Sequence, residues 1–245
     1  MVLRDMVFSL ALIIIFFGTL GHVVFGFGGG LISIPPLSLI VGVQRGVTLS
    51  LVLQLVTGVL IWQLRHDLRW RVLRPMIGGL VIGTPLGIYF LCQANETFLR
   101  LFLASVILVY LVKSTFFDQA SFPGLKRAGG GFGMGLAAGL LQGLIGSGGP
   151  PMVIYLRETI RGKAAMRAGL LFLLFISNGL RLPLSISAGL FDPMVLEISL
   201  AAIPCFALAL FLGHRWHDKM SEKHYQLAIR LVLIVSAILL ILKSV

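Results

Sequence analysis

Two stretches, Gly26-Phe27-Gly28-Gly29-Gly30 and Gly146-Ser147-Gly148-Gly149-Pro150, interrupt otherwise apolar sequence, and the chemistry they offer is coordination by main chain. Glycine lets a lipid-buried backbone open and lets a ligand approach it closely, and a matched pair of breaks points to a binding site near the membrane midplane. Each break leads into a short apolar segment with adjacent prolines, Pro35-Pro36 or Pro150-Pro151. Proline suits the first helical turn, where its missing donor is not needed. A half-helix that begins inside the membrane presents unpaired amides and the positive end of its dipole, an environment made for an anion. The alternative use of such glycines is close helix packing. The prolines follow the glycines at once in the second half and only after an intervening stretch in the first, so the two breaks are not in perfect register.

Polar side chains inside apolar blocks are the next candidates, because each is costly in lipid unless paired or solvated. Ser177-Asn178-Gly179-Leu180-Arg181 is the densest cluster. Arg181 is permanently charged and suits a carboxylate, sulfonate or sulfite oxygen; its other reading is a snorkelling or structurally paired arginine, with a helix distortion at Pro183. Asn178 is a candidate contact beside it. His22 and Gln142 stand four residues before their respective breaks and could line one cavity, or simply bond helix to helix. Gln54, Thr57 and Ser33 are secondary candidates. The nine acids fall in loops or near block ends, which disfavours a cationic substrate and leaves any proton coupling to His22 or to the substrate itself.

Enzyme chemistry finds no constellation. Ser147 misses the Gly-x-Ser-x-Gly elbow, His214, His217 and His224 share a loop with no route to it, and no His-Glu-x-x-His occurs. Cys92 and Cys205 stand alone in apolar segments, so no disulfide framework, metal site or cofactor is expected.

The elements that must hold these residues are membrane helices. Apolar residues make up 58% of the chain and charged ones 12%, with mean hydropathy +1.00. Most apolar blocks run about 18 to 22 residues, enough to cross ~30 Å of hydrocarbon as helix, and the alternation of a barrel is absent. The net charge of +11 sits in short loops, where the positive-inside bias explains it better than nucleic-acid binding. The blocks are 7–25, 30–43, 47–64, 75–92 and 97–116, then 128–145, 150–157, 168–186, 194–213 and 225–244. The first is read as retained structure rather than a cleaved signal, because hydrophobicity continues through Val43. Arg100-Leu101 with Lys113-Ser114 recurs as Arg230-Leu231 with Lys243-Ser244, so a five-segment unit is used twice: repeat 1 at 1–116, a linker at 117–127, repeat 2 at 128–245.

Loop charges set the orientation. After the short segment the first half has only Arg45, the second Arg157, Arg161, Lys163 and Arg167. At the next loop the first half has Arg65, Arg69, Arg71 and Arg74, and the second, 187–192, has none. The Gln93–Thr97 loop carries no base, while its counterpart carries Arg215, Lys219 and Lys223. Equivalent loops should face opposite sides, which requires an odd number of passes per repeat and places both termini outside the cytoplasm. Two parallel four-helix halves remain the alternative. The expected fold is an all-α polytopic membrane protein of two inverted five-segment repeats, with short broken or re-entrant helices meeting near the midplane.

The glycine break 26–30 with Pro35, the basic run Arg65–Arg71 ahead of Gly78, Gly79, Gly83 and Gly87, the Gly146–Pro151 break with Tyr155-Leu156, and Asn178-Gly179-Leu180-Arg181 together resemble the TauE/SafE sulfite exporter family, also called toluene sulfonate uptake permeases. The resemblance spans nearly the whole chain. It implies secondary transport of a small sulfur-containing anion (sulfite, thiosulfate, sulfoacetate or another sulfonate) across the bacterial inner membrane, by exporters or importers. An anion channel using the same site is the alternative mode. The partners implied are the anion and the lipid bilayer, with no nucleic acid; oligomeric state is left open.

Overall fold

A computed structural model describes residues 2–25, 29–56, 65–116, 122–126, 128–216 and 222–244. With no water to bond exposed peptide groups, an apolar chain in lipid must satisfy its backbone within each segment, and helix does this. Eleven α-helices are described and no strand. They are α1 (Val2–Phe25), α2 (Gly29–Val41), α3 (Val43–Val56), α4 (Trp70–Gln93) and α5 (Glu96–Phe116), then α6 (Ala128–Ile145), α7 (Gly149–Thr159), α8 (Lys163–Ser187), α9 (Pro193–Ala201), α10 (Ile203–Trp216) and α11 (Glu222–Leu242). Short 3-10 turns lie at Arg65–Asp67 and Pro123–Lys126.

Three spans, in α1, α4 and α8, are long and apolar enough to cross a membrane, and α9 with α10 would make a fourth as one bent span. The surface agrees with a lipid environment. Ile13, Phe17, Ile82, Phe90, Val109, Leu200, Phe211 and Leu239 are exposed, whereas Thr19, Gln54, Thr84, Gln142, Asn178 and Arg181 are buried. The chain is a multi-pass membrane protein. At 1.5 Å per residue α2 and α7 reach only about 20 and about 16 Å, too short to cross ~30 Å of hydrocarbon alone.

Three departures from the sequence reading have local causes. The block 194–213 is two helices bent by 42° around Ala202, where Pro204 cannot donate to the Leu200 carbonyl. Pro35 and Pro36 fall inside α2 rather than in its first turn, because that helix starts at Gly29. Pro183 produces no break, and α8 runs continuously from Lys163 to Ser187.

Among the described helices, α4 and α6 cross most closely. Gly79, Gly83 and Gly87 of α4 face Gly135, Gly139 and Gly143 of α6, so that a Cβ on Gly79, Gly83 or Gly87 would fall on the carbonyl oxygen of Phe132, Leu136 or Leu140. Small residues every fourth position bring two backbones together in this way. Packing elsewhere forms three apolar clusters. One joins α1, α2 and α3 to α9 and α10 through Ile15, Leu37, Leu53, Val195 and Phe206. A second joins α6, α7 and α8 to α4 through Ala138, Met152, Leu173 and Leu80. The third gathers α5 and α11 against α2, α3 and α6.

The loops collect at two ends of α4. Near its C-terminus, Gly42, Arg45, Glu96, Gly189 and Asp192 border one recess. Glu96 accepts from the Val43 amide at 2.9 Å, Arg45 pairs with Asp192 at 2.6 Å, and Arg4 pairs with Glu197. Lys243 donates to the Leu39 carbonyl at 2.7 Å. Asp192 also caps α9, accepting from the Val195 amide at 2.9 Å. Burial alone would raise its carboxyl, but the amide and Arg45 outweigh this and hold it below the ordinary carboxylate range. Near the N-terminus of α4, about 35 Å away along the helix, Arg69, Trp70 and Arg71 border a recess with Thr159, Ile160 and Arg161.

Backbone contact at the α4–α6 crossing leaves no room for a side chain. Gly83→Val should cost more than the ~1–3 kcal/mol of ordinary overpacking, read as a large fall in the unfolding midpoint of the protein in detergent. Gly133→Val, on the partner helix α6 but meeting nothing within 4 Å, should leave that midpoint within a degree or two.

Candidate functional site

The second break opens because α6 ends on a residue only glycine accommodates. Gly146 has φ +66°, its amide closes the helix on the Gln142 carbonyl at 3.0 Å, and a Cβ there would sit 2.7 Å from Ile34 Cδ1. Left-handed backbone is a common helix stop for glycine. The chain then reverses through Ser147 and Gly148, and α7 starts at Gly149 with Pro150 in its first turn. The first break arrives at the same place. A Cβ on Gly30 would lie 2.6 Å from the Gly146 carbonyl oxygen and 2.9 Å from Gln54 Nε2, so the two breaks touch through glycine.

Three amide side chains tie this junction together. Gln54 Nε2 donates to the Gly146 carbonyl at 3.1 Å. Gln142 Nε2 donates to Gln54 Oε1 and to Asn178 Oδ1, both at 2.9 Å. Asn178 Nδ2 donates to Gln54 Oε1 at 3.1 Å and to the Leu174 carbonyl at 2.8 Å. Gln142 Oε1 accepts from the Gly148 amide at 2.6 Å. That amide, expected from the sequence to face a ligand, is therefore held by Gln142, and a ligand reaching it must displace the side chain. Pro150 and Pro151 carry no backbone N–H, so the first turn of α7 offers fewer donors than an ordinary helix start.

Arg181 ends the network. Its Nη1 donates to Asn178 Oδ1 and its Nη2 to the Val47 carbonyl, both at 3.2 Å. It is 1% exposed, and Nε has no partner. Along α8 the positions 167, 174, 178 and 181 share one face, and Arg167 donates to the Val23 carbonyl at 3.1 Å where α1 approaches the first break. His22 is buried with Nδ1 unpartnered, and its ring lies 2.8 Å from where a Gly29 Cβ would be.

His22, Gly30, Gln54, Gln142, Gly146, Ser147, Gly149 and Leu174 line a cavity of about 20 Å³, room for about one water. Among the candidates named from sequence, the structure thus brings together His22, Gln142, Gly30, Gly146, Ser147 and Gly149 at the cavity. Gly29 lies behind His22, and Gly148, Asn178 and Arg181 connect through Gln142. Pro150 does not line the cavity. Gly26, Gly28 and Thr57 lie outside the described residues. No group of three metal-ligating side chains occurs among the described residues.

The sequence profile of the sulfite exporter TauE/SafE family matches residues 10–240, nearly the whole chain. The chain belongs to the TauE/SafE sulfite exporter family. A relative from Cupriavidus necator, named as a probable sulfite/organosulfonate exporter TauE, is 28% identical over 220 residues, covering 83% of this chain and 82% of that one. No solved structure matches the chain. As a TauE/SafE protein it is a membrane transporter and not an enzyme. Gln54, a secondary candidate from sequence, lines the cavity and bonds the Gly146 carbonyl. An amide in an apolar block was its visible signal, and its position between both breaks appears only in the packed molecule.

Gln142 satisfies three partners at once. Gln142→Leu strands the Gly148 amide and removes one of two donors from each of Gln54 Oε1 and Asn178 Oδ1, and a buried unsatisfied group costs about 1–3 kcal/mol. The variant should unfold at clearly lower temperature or denaturant than the native protein in detergent, and an unchanged midpoint would mean that water replaces Gln142.

Proposed function

We propose that this transporter moves a small sulfur-containing anion across the bacterial inner membrane by alternating access, holding it where the two breaks meet. The observation that carries this reading is Arg181, a buried cation with neutral partners, joined through Asn178 and Gln142 to the Gly146–Gly149 break. No carboxylate is among the buried side chains described. Guanidinium and amide donors bind sulfonate and sulfite oxygens well, and sulfite and organosulfonates are the substrates named for the Cupriavidus relative. Thiosulfate and sulfoacetate belong to the same chemical class.

Ligand oxygens would replace Asn178 Oδ1 on Arg181 and Gln142 Oε1 on Gly148, and the released amide side chains can turn their NH₂ groups towards the anion. Space for about one water is too small for a four-atom oxyanion, so binding requires the halves to part. This favours a carrier over a channel, which needs a continuous wet passage.

The moving parts, in this reading, are repeat 1 (1–116) and repeat 2 (128–245), inverted about the midplane. Support comes from exchanged packing. The fourth segment of each half packs against the first segment of the other: α4 on α6, and α9 with α10 on α1. The α2–α3 loop lies at one end of α4 and its counterpart, the α7–α8 loop, at the other. The basic residues Arg69, Arg71 and Arg161 share an end, assigned here to the cytoplasm.

Two measurements test this. Binding of sulfite, thiosulfate, sulfoacetate, taurine and acetate to purified protein should rank the sulfur anions above acetate, and Arg181→Gln should weaken the tightest at least tenfold. Equal affinity would remove Arg181 from the site. Single cysteines at positions 69 and 161 should both react with an impermeant label only from the cytoplasmic side, and one at 189 only from the other; any other pattern overturns the inversion.

A further inference from the structure

Arg181 sets a condition on the carrier when no substrate is bound. Among the described residues, its two bonded nitrogens meet the Asn178 amide oxygen and the Val47 carbonyl. The ion pairs Arg4–Glu197, Arg45–Asp192 and Arg100–Glu96 all lie at one end of the molecule and none reaches it. Among the described residues, the titratable and charged groups nearest the cavity are His22, which lines it, and Arg167, which holds the Val23 carbonyl. Neither supplies negative charge.

A buried lysine or carboxylate can escape such a position by changing protonation, but a guanidinium cannot. The charge must be met by water or by an anion. In conformations open to either side, water meets it. In the closed conformation between them water is excluded, and a lone buried charge carries a heavy desolvation penalty. An anion on Arg181 turns that charge into a neutral pair.

We propose that the protein is an obligatory anion exchanger, resting on the substrate reading above: it crosses its closed conformation only with an anion on Arg181. Each monovalent sulfur anion carried one way is then matched by a monovalent anion carried back, and no net charge moves. The return partner is a small inorganic anion of the chloride class, able to reach the same guanidinium.

The test uses the full chain in liposomes with radiolabelled sulfite outside at mildly acidic pH, where hydrogensulfite dominates. Vesicles loaded with chloride or sulfite should take up label at least tenfold faster than vesicles loaded with gluconate, and an imposed membrane potential should change the rate little. Arg181→Gln should lose the dependence on internal anion, and Arg181→Lys, whose ammonium can shed its proton where the guanidinium cannot, should weaken it. Equal uptake into gluconate-loaded vesicles, with sulfite binding intact, overturns the exchange while leaving the site standing. Absent sulfite binding overturns the substrate assignment instead, and radiolabelled chloride entry into chloride-loaded against gluconate-loaded vesicles then decides the exchange by the same tenfold criterion.

Discussion

A charged group in a hydrocarbon slab needs polar partners beside it, and the organisation around the second break gathers them about one such group. Arg181 is held by Asn178, Asn178 by Gln142 and Gln54, and Gln142 by the Gly148 amide. The chain of donors and acceptors runs from α8 through α6 and α3 to the start of α7, and so binds both halves of the sequence at one point. Side-chain amides are suited to this. Each carries donors and an acceptor on one flat group, and rotation exchanges them, so the same residues can close on one another or open towards an anion.

Glycine makes the arrangement physically possible in two separate ways. Along α4 and α6 it removes side chains so that two helices meet backbone to backbone, a rigid crossing with no rotamers to adjust. At the second break it does the opposite and interrupts helix, with Gly146 in a left-handed conformation and Gly30 of α2 pressed against its carbonyl. Interrupted backbone is tolerated at membrane depth only where protein or a wet cavity covers it. The contact between the two breaks supplies that cover, and the small cavity beside it is lined by His22, Gln54 and Gln142.

Particular residues show how far the sequence could be read. Hydropathy placed most of the membrane helices to within a few positions, because lipid imposes helix on any long apolar run. His22, Gln142, Asn178 and Arg181 stood out because polar groups are scarce in such runs. Other features gave no one-dimensional signal. The α9–α10 bend sits beside Pro204, while Pro183 leaves α8 continuous, although both prolines are exposed. A single proline is compatible with either outcome. Gln54 resembled any other helix-bonding amide until its neighbours were known.

Sequence alone determined the chemical character of this protein: an all-helical membrane chain with matched glycine breaks, an arginine inside an apolar block and acids in loops or near block ends. These are consequences of the solvent, since the cost of placing a polar group in lipid depends on residue type and depth. Tertiary structure alone decided that the breaks touch, that Gln142 and not an open amide faces Gly148, and that Arg181 ends in neutral company. Hydrogen-bond partners far apart in the chain are chosen by helix packing, and packing is set by which backbones can approach one another in three dimensions.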